Sequence, residues 1–192
     1  MPVVVAGPDI PAGKVSQTPV NAADCFPAIV EAVGATLAEA DADLPGESLF
    51  ALANAPDRDR TIFAEYHASA SPSGIFMIRD GRYKYIKYVG FEPQLFDLES
   101  DPGETRDLAA DPAYADALAA CDAKLRAVCD PEEVDRQAKA DQQARIDAAG
   151  GTDAVLAGGV KVTYTRAPKE FKPAPLEAEL RAQAAAAATG SA

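Results

Sequence analysis

The sequence predicts an α+β fold in which a small antiparallel sheet of about four strands is covered by helices. The first observation is Asp80-Gly81, a strong hairpin signal between two runs rich in isoleucine, phenylalanine and tyrosine. The second is a pair of further β-rich runs, at 61–66 and 94–98, which would extend the hairpin to four strands. The third is a helical pattern at 112–128, whose apolar residues recur every three or four positions.

The hairpin predicts which side chains share a face of the sheet. With Asp80-Gly81 as a two-residue loop, Arg79 faces Arg82 and Ile78 faces Tyr83. This register gives one apolar face with Phe76, Ile78, Tyr83 and Tyr85, and one charged face with Met77, Arg79, Arg82 and Lys84. The apolar face is the one that needs a helix to cover it.

Aspartate caps and glycines predict the helix ends. Asp24 is expected to cap a helix from Cys25 to Val33, with Gly34 at its end. Its apolar residues fall on one face, at Phe26, Ile29, Val30 and Val33.

Two Asp-Pro pairs begin the later helices, because proline is tolerated at the first helical position. Asp111-Pro112 begins the helix that covers the sheet, and its predicted core face contains Tyr114, Leu118, Cys121, Leu125 and Val128. Asp130-Pro131 begins a helix over 132–149 that Gly150-Gly151 ends. Since apolar positions in this second helix are sparse, it is expected to lie on a surface or to bridge to another domain or subunit.

The ends of the chain carry weaker signals. Val3-Val4-Val5 has the pattern of a short buried strand, and it follows the first residue so closely that the chain is expected to begin inside a larger fold. Residues 38–60 form a loop-rich connector. Residues 152–192 are predicted to be an extended, partly disordered tail, with one short strand at 160–164.

Composition excludes several classes of partner. The net charge of −12 argues against nucleic acid and anionic membranes. No apolar run is long enough for a membrane span, and no export signal is present. Cys121 and Cys129 are too far apart on one helix for a disulfide, and reduced cysteines favour the cytoplasm. The periplasm is the alternative if a missing front half carries a signal.

Two runs resemble the C-terminal subdomain of the sulfatase family, within the alkaline-phosphatase-like superfamily. The two runs are MIRDGRYKYIKY at 77–88 and QLFDLESDPGETRDLAADP at 94–112. Within the family, the sequence most resembles the choline-sulfatase-like, bacterial-type branch. The resemblance extends over roughly 3–151. It implies a remnant of the catalytic-domain edge at 1–60, the sulfatase C-terminal subdomain at 61–151, and the tail beyond.

The resemblance also implies chemistry that this chain lacks. Sulfatases hydrolyse sulfate esters with a divalent metal, calcium in our expectation, and a formylglycine made from cysteine in Cys-x-Pro/Ala-x-Arg. Cys25-Phe26-Pro27 carries Ile29 where that pattern needs arginine. We therefore expect no catalytic residue, no metal ligand and no cofactor in this chain, and no activity of the chain alone.

Glu65, His67 and Arg79 are the candidate substrate-binding residues. A similar Glu-Tyr-His precedes the hairpin in some sulfatases that resemble choline-sulfatase, where these residues would reach the mouth of the catalytic pocket. The alternatives are a hydrogen-bonded loop histidine and a solvated arginine. Glu65 and His67 alone are too few groups for an independent active site.

Two kinds of partner and two functions follow. The chain is expected to join the catalytic half of a sulfatase, in cis or in trans, or to form a homo-oligomer through the polar helix at 132–149. The alternative function is a free-standing α+β module that binds a protein partner without catalysis.

Overall fold

The structure is a computed structural model that describes residues 2–67 and 71–158. Four strands form one antiparallel sheet whose spatial order is the chain order, which confirms the predicted α+β class. The strands are β1 (Ile62–Tyr66), β2 (Ile75–Asp80), β3 (Tyr83–Tyr88) and β4 (Gln94–Asp97). The helices are α1 (Cys25–Ala32), α2 (Leu49–Asn54), α3 (Ala115–Val128), α4 (Pro131–Ala148) and α5 (Thr152–Ala157). Single 3-10 turns lie at Ala22–Asp24, Glu39–Asp41 and Pro112–Tyr114.

The register of the central hairpin differs from the predicted one by two residues. Asp80 pairs with Tyr83 and Ile78 with Tyr85, so the loop consists of Gly81 and Arg82. Gly81 has φ 53°, the positive value that a II′ turn places at its first loop position. Asp80 remains in the strand, where Thr61 Oγ1 donates a hydrogen bond to its carboxylate. Because a shift of two preserves the alternation of side chains, the predicted apolar face is nevertheless correct.

The core lies between this apolar face and α3. Its buried side chains are Phe76, Ile78, Tyr85, Leu95, Leu108, Cys121 and Leu125, with Tyr114 and Leu118 packed against them. The predicted helix face is therefore correct up to Leu125. It is wrong at Val128, which is 55% exposed, because α3 ends there and Cys129 packs against the core instead.

Most of the predicted apolar face of α1 is exposed to solvent. Phe26 and Ile29, together with Val33 directly after the helix, form what we call the α1 apolar face. Ile29 and Val33 are 61% and 71% exposed, whereas Val30 is half-buried. The buried residue of this helix is Ala28. The expected strand at Val3-Val5 is also absent from the described residues, and Val4 is 92% exposed. A short apolar run becomes a strand only where a partner strand can pair with its backbone.

Asp24 binds other segments rather than capping α1 with its side chain. Its fully buried carboxylate accepts hydrogen bonds from both terminal nitrogens of Arg60, each at 2.9 Å, and from the N–H groups of Asn21 and Glu47. Burial alone would raise the pKa of Asp24, but these hydrogen bonds hold it below its usual value. This ion pair attaches the region of α1 to the residue two positions before β1.

The chain divides into two compact units, residues 1–143 and 144–192. In the second unit, Gly150 and Gly151 end α4 as predicted, with Gly151 N–H donating to Ile146 and Gly150 N–H to Asp147. The helix α5 then occupies Thr152–Ala157, where an extended tail was expected. The predicted strand at 160–164 lies outside the described residues.

Candidate functional site

The sheet separates the three candidate site residues. Glu65 pairs with Phe76 and therefore lies on the face that α3 covers, whereas Arg79 pairs with Ile62 and Lys84 on the opposite face. His67 follows β1 on the same side as Glu65, with 3.6 Å between its Nε2 atom and the Glu65 carboxylate. The structure thus brings Glu65 and His67 together and places Arg79 elsewhere. Arg79 is exposed and forms no ion pair with the residues that the structure describes.

The ring of His67 is largely buried and packs against neighbouring residues. It packs edge-on against Phe76, with ring centroids 5.3 Å apart and planes at 76°. Only 20% of the side chain is exposed, and both ring nitrogens are buried without a hydrogen-bond partner in residues 2–67 and 71–158. Gly74 lies close to both rings, because a Cβ atom there would come within 2.9 Å of His67 and of Phe76. His67 is thus more enclosed than a solvated loop histidine.

Helix α4 contacts this region through a row of polar side chains that we call the α4 polar row, Asp135, Lys139 and Gln142. The three occur at i, i+4 and i+7, so they share one face of the helix. Asp135 accepts a hydrogen bond from the N–H of Gly74 at 2.6 Å, and Gln142 donates one to the carbonyl of His67 at 2.9 Å. The polarity of α4 therefore serves contacts within the chain along this row.

The buried carboxylate of Asp135 accepts hydrogen bonds on both of its oxygens. Its side chain is 9% exposed, and Lys139 Nζ donates a hydrogen bond to its second oxygen at 2.8 Å. Burial would raise the pKa of Asp135, but the hydrogen bonds from Lys139 and Gly74 and the nearby His67 hold it below its usual value. The carboxylate is therefore ionised at neutral pH. A small cavity of about 30 Å³ lies against the α4 polar row, His67 and Gly74.

A second, larger groove of about 400 Å³ lies between β3 and α3. Its polar side chains already bind one another: the Tyr85 hydroxyl donates to Asp122, and Arg126 pairs with Asp122 and Glu132. Burial and the hydrogen bond to Asp122 raise the pKa of Tyr85. The groove is lined by small apolar residues and by charged side chains that already pair with one another. We therefore regard it as a surface groove and not as a catalytic site.

The α4 residues near His67 were not predicted from the sequence. Asp135, Lys139 and Gln142 lie in a helix with few apolar residues, and only their shared spacing was available as a signal. The structural role of Asp97 was missed as well: its buried carboxylate accepts hydrogen bonds from the Arg82 guanidinium, which joins the hairpin loop to the end of β4.

The described residues do not fit the metal that the sulfatase resemblance implies. Within 2–67 and 71–158, no group of three or more histidine, cysteine, aspartate or glutamate side chains is arranged to hold a metal ion. Glu65 and His67 alone provide too few ligands for a divalent ion. We therefore derive no step of a reaction through a metal in this chain.

Comparisons with known proteins identify the family. The family model described as N-sulphoglucosamine sulphohydrolase, C-terminal, matches residues 1–131. The choline-sulfatase of Rhizobium meliloti (strain 1021) is 37% identical over 113 residues, which cover 58% of this chain and 22% of that protein. The arylsulfatase K of Xenopus laevis is 28% identical over 147 residues, which cover 70% of this chain and 26% of that protein.

A solved structure, a putative sulfatase from Bacteroides thetaiotaomicron, has a TM-score of 0.46 and 27% identity, covering 63% of this chain and 25% of that chain. The family model matches more than half of the chain, so the chain belongs to the C-terminal domain family of the sulfatases. It spans about a quarter of the length of the relatives it matches. In the part of the chain that the structure describes, no helix has the length and apolar character to cross a membrane.

Proposed function

We propose that the chain is the C-terminal part of a sulfate-ester hydrolase whose nucleophile and metal ligands lie on a separate catalytic part, joined in cis or in trans. The observation that carries this proposal is the α1 apolar face. Three large side chains, two on α1 and one directly after it, are exposed within the region that the sulfatase C-terminal family model matches. Clustered apolar exposure of this kind marks an interaction surface. The catalytic part is the partner we assign to it.

In the assembled enzyme, Glu65 and His67 would form part of the wall of the substrate pocket. They lie together at the end of β1, and their alternation places them on the same side of the sheet. The divalent metal and the formylglycine would be supplied by the catalytic part. Arg79, on the opposite face, would meet substrate only if the pocket extended around the edge of the sheet. We keep the cytoplasm as the proposed location, on the three free cysteines.

The test is binding and activity in trans. The catalytic part of the Rhizobium meliloti choline-sulfatase, without its matched C-terminal segment, would be mixed with the chain of residues 1–192. We expect a complex in analytical ultracentrifugation and release of sulfate from a sulfate ester, with neither from the chain alone. I29E and V33E place a charge on the α1 apolar face and should weaken the complex by about tenfold or more.

Val15→Glu is the matched control, because Val15 is 77% exposed and lies outside α1. If I29E and V15E bind equally well, the α1 apolar face is not the contact. If the wild-type chain binds no catalytic part, the free-standing interaction module becomes the better function. Sedimentation of the chain alone as a dimer that α4 substitutions dissociate would favour the homo-oligomer.

A further inference from the structure

We infer that α4 is a positioning element for His67: Asp135 of the α4 polar row fixes the Gly74 backbone that packs against the ring, and Gln142 fixes the backbone of His67 itself. The positioning of the ring stands independently, whereas its consequence for substrate rests on the proposed function.

The first support is the free-energy cost of leaving the buried N–H of Gly74 without an acceptor. The N–H of Gly74 is buried, and Asp135 provides its acceptor. Without that carboxylate, a buried donor loses its partner, which costs far more than the loss of a solvent-exposed hydrogen bond. Segment Ser71–Gly74 is therefore held by α4 in the position where Gly74 closes against His67.

The second support is the fit around the ring. A Cβ atom at Gly74 would lie 2.9 Å from the His67 ring and 2.9 Å from the Phe76 ring, so the three groups are in close contact. Because Phe76 is a fully buried core residue, the ring of His67 is the member of this group that can move. The position of the Gly74 backbone therefore limits where the His67 ring can lie.

The third support concerns the place of α4 in the chain. The matched part of the family model ends at residue 131, the first residue of α4. The contacts to His67 and Gly74 thus come from a helix outside the matched domain. Asp135 bonds to the Gly74 backbone rather than to the His67 ring, so it acts on the ring through Gly74 and is a positioning residue.

The experiment uses the chain of residues 1–192 and NMR, because His67 is its only histidine and its ring signals need no assignment by mutation. In Asp135→Ala, we expect the amide of Gly74 to exchange with solvent about tenfold faster or more, and the ring signals of His67 to shift. Asp135→Asn keeps an acceptor for Gly74 and should restore slow exchange. Asp141→Asn, which removes a charge from an exposed position of the same helix, should change neither signal.

Two further variants keep the test decisive if Asp135→Ala does not fold. Gln142→Ala removes only the contact to the His67 carbonyl and should shift the ring signals without loss of the sheet. Gly74→Ala should displace the ring while α4 is left unchanged. The inference would be overturned by wild-type ring signals in folded Asp135→Ala and Gln142→Ala together with wild-type Gly74 exchange in Asp135→Ala.

The two proposals can fail separately. In the complex with the catalytic part, His67→Ala and Asp135→Ala should both raise KM with kcat nearly unchanged, because each disturbs the pocket wall and not the reacting groups. If Asp135→Ala shifts the ring and His67→Ala leaves KM unchanged, positioning holds and the pocket-wall function fails. If His67→Ala raises KM but Asp135→Ala leaves the ring in place, only the positioning inference is wrong.

Discussion

At the scale of single residues, buried carboxylates make the most specific contacts in this chain. Asp24, Asp97 and Asp135 are almost inaccessible to solvent, and each joins segments that are distant in sequence or lie at a chain reversal. A buried carboxylate is tolerated only where donors replace its lost hydration. Each of these three has such donors, which is why they are ionised inside a small protein.

Asp24→Asn should destabilise the chain by about 3 kcal/mol, because it leaves the largely buried guanidinium of Arg60 without a counter-charge. The measurement is urea unfolding followed by circular dichroism. The double variant Asp24→Asn with Arg60→Met should cost less than the sum of the two single changes, since no unpaired charge remains.

Glu133→Gln is the control for this ion pair. Glu133 pairs with Arg136 on the solvent-exposed part of α4, where water screens the two charges, so this substitution should cost far less than Asp24→Asn. Equal costs for Asp24→Asn and Glu133→Gln would contradict the assignment of Asp24 and Arg60 as the contact that holds the region of α1.

At the scale of elements, the central hairpin depends on one backbone conformation. Gly81 adopts φ 53°, a region that costs an L-residue with a side chain about 1 kcal/mol or more. Gly81→Ala should therefore destabilise the chain by about 1 kcal/mol in the same unfolding assay. A Cβ at Gly81 would have nothing within 4 Å, so the penalty would come from the backbone alone.

Gly103→Ala is the matched control for the hairpin. Gly103 also lies in a turn, but its φ is not positive, and a Cβ there would come no closer than 3.5 Å to another atom. This substitution should be neutral or slightly stabilising, because alanine restricts the unfolded chain. If Gly81→Ala were equally neutral, the II′ assignment of the loop would be wrong.

The hairpin also illustrates what the sequence could predict and what it could not. Alternation determined the faces of β2 and β3 correctly, since burial of Phe76, Ile78 and Tyr85 tolerates a shift of two residues. The exact pairing depended on Asp80, which stays in the strand because Thr61 and Lys124 bind its carboxylate. Those partners are distant in sequence, so no local pattern could reveal them.

Contacts between residues distant in sequence also explain which predictions for the helices and the candidate site were right and which were incomplete. Cys121 and Leu125 were correctly placed in the core by periodicity, whereas Phe26 and Ile29 had the same periodicity and are exposed. Periodicity identifies a face but cannot say what covers it. Glu65 and His67 were named together from the Glu-Tyr-His run and the family resemblance, whereas the contact of Asp135 with Gly74 spans 61 residues of sequence and could be seen only in the fold.

At the scale of the whole molecule, the buried and paired carboxylates determine how stability depends on pH. In the folded chain, the pKa values of four aspartates lie below their usual range: Asp24, Asp80, Asp97 and Asp135. Burial acts most strongly to raise the pKa of Asp24 and Asp135, but their hydrogen bonds, including those from Arg60 to Asp24 and from Lys139 to Asp135, outweigh it. For Asp97 and Asp80, the largest effect is the hydrogen bond from Arg82 or Lys124, which lowers the pKa. In the unfolded chain, aspartates titrate near pH 4. Their contribution to stability is therefore fully present above about pH 4 to 5 and is lost as the pH falls towards the folded values.

We therefore expect the urea midpoint to be nearly constant between about pH 7 and 5 and to fall steeply below about pH 4, since there the unfolded chain binds more protons than the folded chain. Asp97→Asn should lower the midpoint at neutral pH and flatten its acid dependence, because this variant has one fewer carboxylate to protonate on unfolding. Asp116→Asn, at an exposed position of α3, should leave the curve unchanged. If the wild-type midpoint stays constant down to pH 3, these ion pairs do not stabilise the folded chain. Its stability would then come from the apolar core alone.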